Sequence, residues 1–141
     1  MHFVVLGPPV GKGRPKFSTF NGRAIAYTPQ KTVNYENLVK ISFQQSGEKG
    51  FTKEKELEAE LKAFFPIPKN TSKKKISEML KGMIYHTKRP DIDNLVKSVF
   101  DALNGLAYYD DSQICKLTVC KLYSELPRVE ITITEVKKNE W

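Results

Sequence analysis

The strongest pattern in the chain is the stretch DIDNLVKSVFDAL, residues 91–103. Its apolar residues recur at intervals of three and four, the spacing of one helical face, and they are Ile92, Leu95, Val96, Val99, Phe100 and Leu103. We therefore expect a helix here whose apolar face joins the core. Either of the first two aspartates would cap this helix, and its outward face would carry Asn94, Lys97, Ser98 and Asp101.

Helical and alternating patterns on both sides of this stretch predict the other elements. Before it, we expect strands over 2–6 and 57–65, a helix that Thr28 caps, that begins at Pro29 and that ends by Gly47, and a short helix from Ser72 to Met83. After it, a turn over 108–112 leads to strands over 113–123 and 129–134, and a weaker strand pattern covers 24–27. This order predicts an α+β fold, a single compact domain over 1–141 with a small mixed β-sheet flanked by about three helices.

Cysteine usage and hydropathy bound the class of protein. Cys115 and Cys120 are too few for a disulfide framework, and the chain opens without a charged and then apolar leader, so we expect a cytoplasmic protein. No apolar run approaches the roughly 20 residues that span a bilayer, so no membrane partner is expected. The stretch GPPVGKG, residues 7–13, imitates a nucleotide-binding P-loop. It is one residue short between its glycines and lacks the following Ser or Thr, so no nucleotide cofactor is expected.

The net charge of +7 is unevenly distributed along the chain. Residues 1–40 carry six Lys or Arg and one Glu, a net +5, and residues 66–90 carry seven and one, a net +6. Residues 91–113 carry five Asp and one Lys, a net −4. Basic segments around an acidic patch suggest a polyanion held at its phosphates beside a site for divalent cations. Charge alone would still favour a solvated surface, so the motifs must decide.

The acidic patch combines two pairs of carboxylates with adjacent cations. Asp91 and Asp93 begin the predicted helix, Asp110-Asp111 lie in the turn that follows it, and Lys88-Arg89 precede it. Four converging carboxylates repel one another, and a hard oxygen-seeking cation such as Mg²⁺ relieves that repulsion. Metal ligands and phosphate-binding cations together are what the cleavage of a phosphodiester requires.

A purely structural interpretation accounts for the same residues. Asp91 would cap the helix, Asp93 would pair with Lys97 one turn later, and Asp110-Asp111 would form a polar turn. Residue types and spacing alone leave both interpretations open.

The block DIDNLVKSVFDAL at 91–103, followed by DDSQ at 110–113, resembles the signature of the RusA family of Holliday junction resolvases. The stretch KGRPK at 12–16 is similar to the basic loop of many members, and the closing strand resembles the family's last strand. The resemblance therefore runs nearly end to end. It implies an Mg²⁺-dependent homodimeric endodeoxyribonuclease that resolves four-way DNA junctions by paired symmetric phosphodiester hydrolysis, typically encoded by phages or prophages and serving DNA recombination and repair.

The resemblance also implies roles for single residues. Asp91, Asp93 and Asp111 would be catalytic metal ligands, Lys97 would be the catalytic lysine, and Asp110 adjoins this set as a further candidate ligand. Mn²⁺ is expected to substitute for Mg²⁺. Phosphate contacts are expected from Lys12, Arg14, Lys16, Lys73, Lys74, Lys75, Lys88 and Arg89. Four aromatic residues are candidates for stacking on opened bases, although packing is the favoured role for each: Phe17, Phe20, Tyr108 and Tyr109.

Two other functions stay open at the level of sequence. One is a metal-dependent nuclease for other branched DNA, such as flaps or forks, which a panel of branched and linear substrates would separate. The other is a non-catalytic basic DNA-binding module with structural aspartates, which Mg²⁺-dependent nicking would exclude.

Overall fold

The computed structural model describes residues 1–138. The elements, in chain order, are β1 (His2–Leu6), β2 (Lys16–Phe20), β3 (Arg23–Tyr27), α1 (Gln30–Ser46), β4 (Leu57–Pro66), α2 (Lys73–Leu80), α3 (Ile92–Leu103), a single 3₁₀ turn (Asp111–Gln113), β5 (Ile114–Ser124) and β6 (Arg128–Glu135). The predicted α+β class, with a small mixed sheet and three helices, is confirmed.

A four-stranded sheet in the order β1-β6-β4-β5 forms the centre of the fold. Strands β4 and β5 run parallel, whereas β6 is antiparallel to both of its neighbours, so the sheet is mixed. The alternation along β4 places its odd-numbered residues, from Leu57 to Phe65, in the core. A parallel pair needs a long crossover, and the segment that joins β4 to β5 contains α2 and α3.

Helices α1 and α3 pack against each other and supply most of the helical part of the core. Their buried apolar residues are Tyr35, Val39 and Phe43 in α1, and Leu95, Val99, Phe100, Ala102 and Leu103 in α3. Helix α1 also contacts β1, and α2 contacts β5 through a side that buries Met79. Among residues 1–138, no helix is long and apolar enough to cross a membrane.

Several local predictions are corrected by the structure. Helix α1 begins at Gln30 with Pro29 as its N-cap residue, one position later than predicted, and the short helix α2 ends at Leu80 instead of Met83. Ile92 lies in the first turn of α3 and is 48% exposed, because the apolar face is covered only from Leu95 onward. Strand β2 was not predicted, since its five residues show no apolar alternation.

Ser98 is the most informative of the corrections. The helical pattern assigned it to the solvent face of α3, but the structure buries it fully. Its hydroxyl donates a hydrogen bond to the main-chain carbonyl of Val10 at 2.6 Å. Residues 7–15 therefore lie across a side of α3 that periodicity alone would leave to water.

We expect Ser98→Ala to lower the free energy of unfolding by about 1–2 kcal/mol, because the carbonyl of Val10 loses its buried donor. Ser42→Ala is a matched control, since the Ser42 hydroxyl bonds only the Leu38 carbonyl of its own helix. That control should cost no more than about 0.5 kcal/mol. Urea denaturation of both variants measures the difference, and equal small losses would mean that the loop is not held through Ser98.

Candidate active site and nucleic-acid interface

The loop of residues 7–15 is fixed to α1 and α3 by its own backbone. The N–H of Lys12 donates to the carbonyl of Asn94 at 2.8 Å, and the N–H of Gly13 donates to Thr32 Oγ1 at 2.8 Å. A Cβ at Gly11 would lie 2.5 Å from the Cβ of Pro90, so only glycine permits this approach. The sequence GKGRP thus forms a docked loop rather than a free one.

The side chain of Lys12 strengthens this docking. Its Nζ lies 2.7 Å from Asp101 Oδ2 and 3.7 Å from Glu36 Oε1, which joins the loop to both helices. The hydrogen bond to Asp101 raises the pKa of Lys12, partial burial opposes that shift, and the charge of Glu36 adds to it. The ammonium of Lys12 is therefore already engaged by carboxylates, whereas Arg14 and Lys16 are exposed.

The docked loop, the start of α1 and the segment before α3 enclose a recess of about 710 Å³, which we call the basic recess. Its charged lining residues are Lys12, Arg14, Lys16, Lys31, Arg89 and Asp91. The structure thus brings four of the predicted phosphate contacts together beside one predicted metal ligand. Sequence reasoning missed Lys31. It precedes Thr32, which accepts the hydrogen bond from the loop, and it therefore lines the same recess.

The other predicted phosphate contacts lie elsewhere. Lys75 and Lys88 line a separate recess of about 530 Å³ together with Tyr123. Lys73 and Lys74 are exposed in the first turn of α2. The eight predicted contacts therefore form two groups, one around the docked loop and one around α2.

The structural interpretation of the first aspartate pair lacks the contacts that it requires. Asp91 occupies the N-cap position of α3, but its side chain accepts no capping hydrogen bond. Among residues 1–138, no ion pair involves Asp91, Asp93 or Lys97. All three side chains are exposed, and the free N–H groups at the start of α3 favour negative charge there.

The two aspartates of the second pair, Asp110 and Asp111, have different roles. The carboxylate of Asp110 accepts from the N–H of Ser112 at 3.1 Å and forms a capping box with Gln113, and the hydrogen bonds to Ser112 lower the pKa of Asp110. Asp111 is held by its backbone, whose N–H donates to Asn104 Oδ1 at 2.8 Å. Its carboxylate makes no hydrogen bond or ion pair with residues 1–138, so Asp111 is the available ligand of the two.

Tyr108 lies in the core beside these carboxylates. Its hydroxyl donates to the carbonyl of Phe100 at 2.5 Å, and burial, followed by the charges of Asp111 and Asp101, raises its pKa well above the usual value. Tyr108 therefore remains a neutral phenol packed in the core beside the acidic patch, and the packing role favoured from the sequence is confirmed for this residue. The other three aromatic candidates, Phe17, Phe20 and Tyr109, are exposed.

The available carboxylates fit Mg²⁺ by their chemistry. Asp91, Asp93 and Asp111 offer oxygen donors without protein partners among the described residues. Within residues 1–138, no three His, Cys, Asp or Glu side chains form a group that could hold an ion by themselves. Mg²⁺ does not need such a cage, because it commonly keeps several waters and uses one or two carboxylates together with substrate phosphates.

The chain matches the family model described as endodeoxyribonuclease RusA over residues 7–134. That range contains the docked loop, all three helices and most of the central sheet. The protein is thus a DNA endonuclease by its family. It belongs to the RusA family.

Two relatives place this membership in context. The chain is 42% identical over 137 residues to the uncharacterized protein YqaN of Bacillus subtilis, with 95% of each chain covered. It is 51% identical over 53 residues to the crossover junction endodeoxyribonuclease rusA of Lactococcus phage r1t, a match that covers 37% of this chain and 40% of the phage protein.

We expect Lys12→Met to lower the free energy of unfolding by about 1 kcal/mol at neutral pH, since the partly exposed ion pair with Asp101 is lost. The folded-state pKa of Lys12 is raised above 10.5, so this contribution is present below pH 10.5 and disappears as the pH rises through the folded-state pKa.

The matched control is Lys16→Met, in which an exposed lysine at the start of β2, without such a partner, changes in the same way. Thermal unfolding of both variants at pH 7 measures the difference. Identical melting temperatures would contradict a structural role for the Lys12 ammonium.

Proposed function

We propose that this protein is an Mg²⁺-dependent homodimeric endonuclease that resolves four-way DNA junctions. The observation that carries the proposal is the basic recess, which five cations line together with Asp91 at the start of α3. A surface of this kind binds a phosphate backbone next to a carboxylate that has no other partner. The name of the Lactococcus phage relative supports the choice of junctions as substrate.

Asp91, Asp93 and Asp111 are the proposed ligands of the metal. When bound, Mg²⁺ would lower the pKa of a water ligand and neutralise the phosphate that is attacked, and Mn²⁺ would substitute for it. The main chain positions these carboxylates. Helix α3 fixes the first two at its positive end, and the hydrogen bond from the Asp111 N–H to Asn104 fixes the turn that carries the third.

Lys97 is the proposed catalytic lysine. It follows Asp93 by four residues, so both side chains leave the same side of α3. Because no ion pair within residues 1–138 neutralises it, its ammonium is available for the negative charge that develops on the phosphate oxygens.

The cations of the basic recess are the proposed phosphate contacts nearest to the reaction. Arg14, Lys16, Lys31 and Arg89 hold the backbone, and Lys12 contributes mainly by keeping the loop in place. The group around α2, with Lys73, Lys74, Lys75 and Lys88, provides contacts to a second part of the DNA. Such contacts position the substrate without reading its sequence.

The proposed enzyme acts as a homodimer. A two-fold dimer presents two identical sites to a junction that has two-fold symmetry itself, so paired nicks at symmetric positions follow from geometry. Resolution of junctions serves DNA recombination and repair in the cytoplasm, and the phage relative is consistent with a prophage origin.

The first test separates cleavage from binding at the acidic residues. Asp93→Asn and Asp111→Asn each remove a ligand charge with little change in size, so we expect single-turnover cleavage of a four-way junction to fall by about 100-fold or more. Junction binding in Ca²⁺ should be retained or become tighter, because repulsion of the phosphates decreases.

Asp110→Asn is the control for this test. An asparagine can still accept the hydrogen bond from the Ser112 N–H, so cleavage should stay within about three-fold of wild type. Near-normal cleavage by both Asp93→Asn and Asp111→Asn would overturn the assignment of the metal ligands.

The second test concerns Lys97. Lys97→Ala should lower the single-turnover rate by about 100-fold while changing junction affinity much less, because the charge that it stabilises exists only in the transition state. Lys97→Arg should restore part of the rate, since it keeps the charge in a different shape. Lys40→Ala changes an exposed lysine of α1 and serves as the control. A Lys97→Ala rate within a few-fold of wild type would leave the carboxylates as the only catalytic residues.

A further inference from the structure

Strands β2 and β3 form a hairpin that stands apart from the central sheet. The two strands pair only with each other, and all ten of their residues are exposed. Asn21 and Gly22 form the turn with φ of 50° and 73°, values that suit the tight turns of two-residue hairpins. An isolated two-stranded ribbon of this kind has little stability of its own. Packing within the protein therefore does not account for its exposed side chains.

The pairing register assigns the side chains to two faces. Lys16 is opposite Tyr27, Ser18 is opposite Ile25, and Phe20 is opposite Arg23. Because cross-strand partners share a face and neighbours along a strand alternate, these six residues form one face, which we call the aromatic face. The opposite face carries Phe17, Thr19, Ala24 and Ala26.

The aromatic face combines cations with exposed rings. Phe20 is 65% exposed and Tyr27 is 48% exposed, with Lys16 and Arg23 beside them in the cross-strand pairs. The first 35 residues contain no Asp or Glu, so no carboxylate of the hairpin neutralises these cations. Rings interleaved with cations along an extended surface are typical of platforms on which unpaired bases stack.

The same charge pattern argues against a second copy of the chain as the occupant. Two hairpins packed face to face and antiparallel about a two-fold axis would bring Lys16 of one copy towards Arg23 of the other, with no hairpin carboxylate to compensate. A DNA strand supplies phosphates for the cations and bases for the rings at the same time.

The position of the hairpin connects it to the basic recess. Lys16 is both the first residue of β2 and a wall residue of that recess, and β3 leads within three residues to α1, whose Lys31 forms another wall. A DNA strand whose phosphates lie in the basic recess therefore reaches the base of the hairpin without a gap.

We propose that the aromatic face of the hairpin binds unpaired bases at the branch point of DNA, with Phe20 and Tyr27 as stacking residues and Lys16 and Arg23 as phosphate contacts. This inference rests on the proposed function and adds to it a site that distinguishes a branch point from a continuous duplex. The docked loop gives the hairpin a fixed base, and Phe20 lies next to the turn at Asn21-Gly22.

The test measures binding in Ca²⁺ to a four-way junction that contains 2-aminopurine at the branch point, and to a linear duplex of the same sequence. Phe20→Ala and Tyr27→Ala should each weaken junction binding by about 10-fold and reduce the change in 2-aminopurine fluorescence, while duplex binding stays within about two-fold. Tyr85→Ala is the control, because it removes an exposed ring that lies outside the hairpin and lines neither of the two recesses. It should leave junction binding within about two-fold of wild type.

A second variant tests whether the effects of the alanine variants come from loss of the hairpin structure. Phe20→Trp keeps a stacking ring, so junction binding should persist, and in a Trp141→Phe background its fluorescence should be quenched by the junction and not by the duplex. Retention of full junction affinity by Phe20→Ala and Tyr27→Ala would overturn the inference. A shift of these variants from dimer to monomer in sedimentation would also overturn it, by assigning the face to self-association.

The wild-type control separates this inference from the proposed function. If the wild-type protein neither prefers nor cleaves the junction, the proposed function fails and the hairpin inference with it. If wild type prefers and cleaves the junction while the two alanine variants behave identically to it, only the hairpin inference fails.

Discussion

The attachment of residues 7–15 to α1 and α3 is the constraint on which the rest of the site depends. Backbone hydrogen bonds from Lys12 and Gly13, and the ion pair between Lys12 and Asp101, fix the loop across the two helices. Close contact at Gly11 leaves no room for a side chain. Without this attachment, Arg14 and Lys16 would have no defined position relative to Asp91.

The aspartates of the acidic patch, residues 91–113, divide according to whether the protein itself uses their carboxylates. Asp101 is engaged by Lys12, and Asp110 caps the 3₁₀ turn. Asp91, Asp93 and Asp111 have no such partners among residues 1–138. A carboxylate that no protein group uses keeps its oxygen donors for a ligand. These three aspartates are therefore the proposed metal ligands, and the engaged ones hold the scaffold.

The sequence predicts the helices and strands that bury one face against the core. The helical spacing of 91–103 and the alternation over 57–65 both appear as predicted, because burial on one face determines each pattern. It does not predict contacts made by irregular backbone. The burial of Ser98, the ion pair of Lys12 and the inclusion of Lys31 in the basic recess all follow from the path of residues 7–15, which has no periodicity. The assignment of the metal ligands and of Lys97 remains a prediction.

Strand-resolved cleavage of a synthetic four-way junction, compared with a linear duplex of the same sequence, tests the proposed function most directly. With Mg²⁺ or Mn²⁺ present, we expect nicks at symmetric positions in two opposite strands of the junction and no comparable cleavage of the duplex. With Ca²⁺ or a chelator, binding should persist without nicks. Equal cleavage of junction and duplex, or the absence of any metal-dependent nick, would contradict the account.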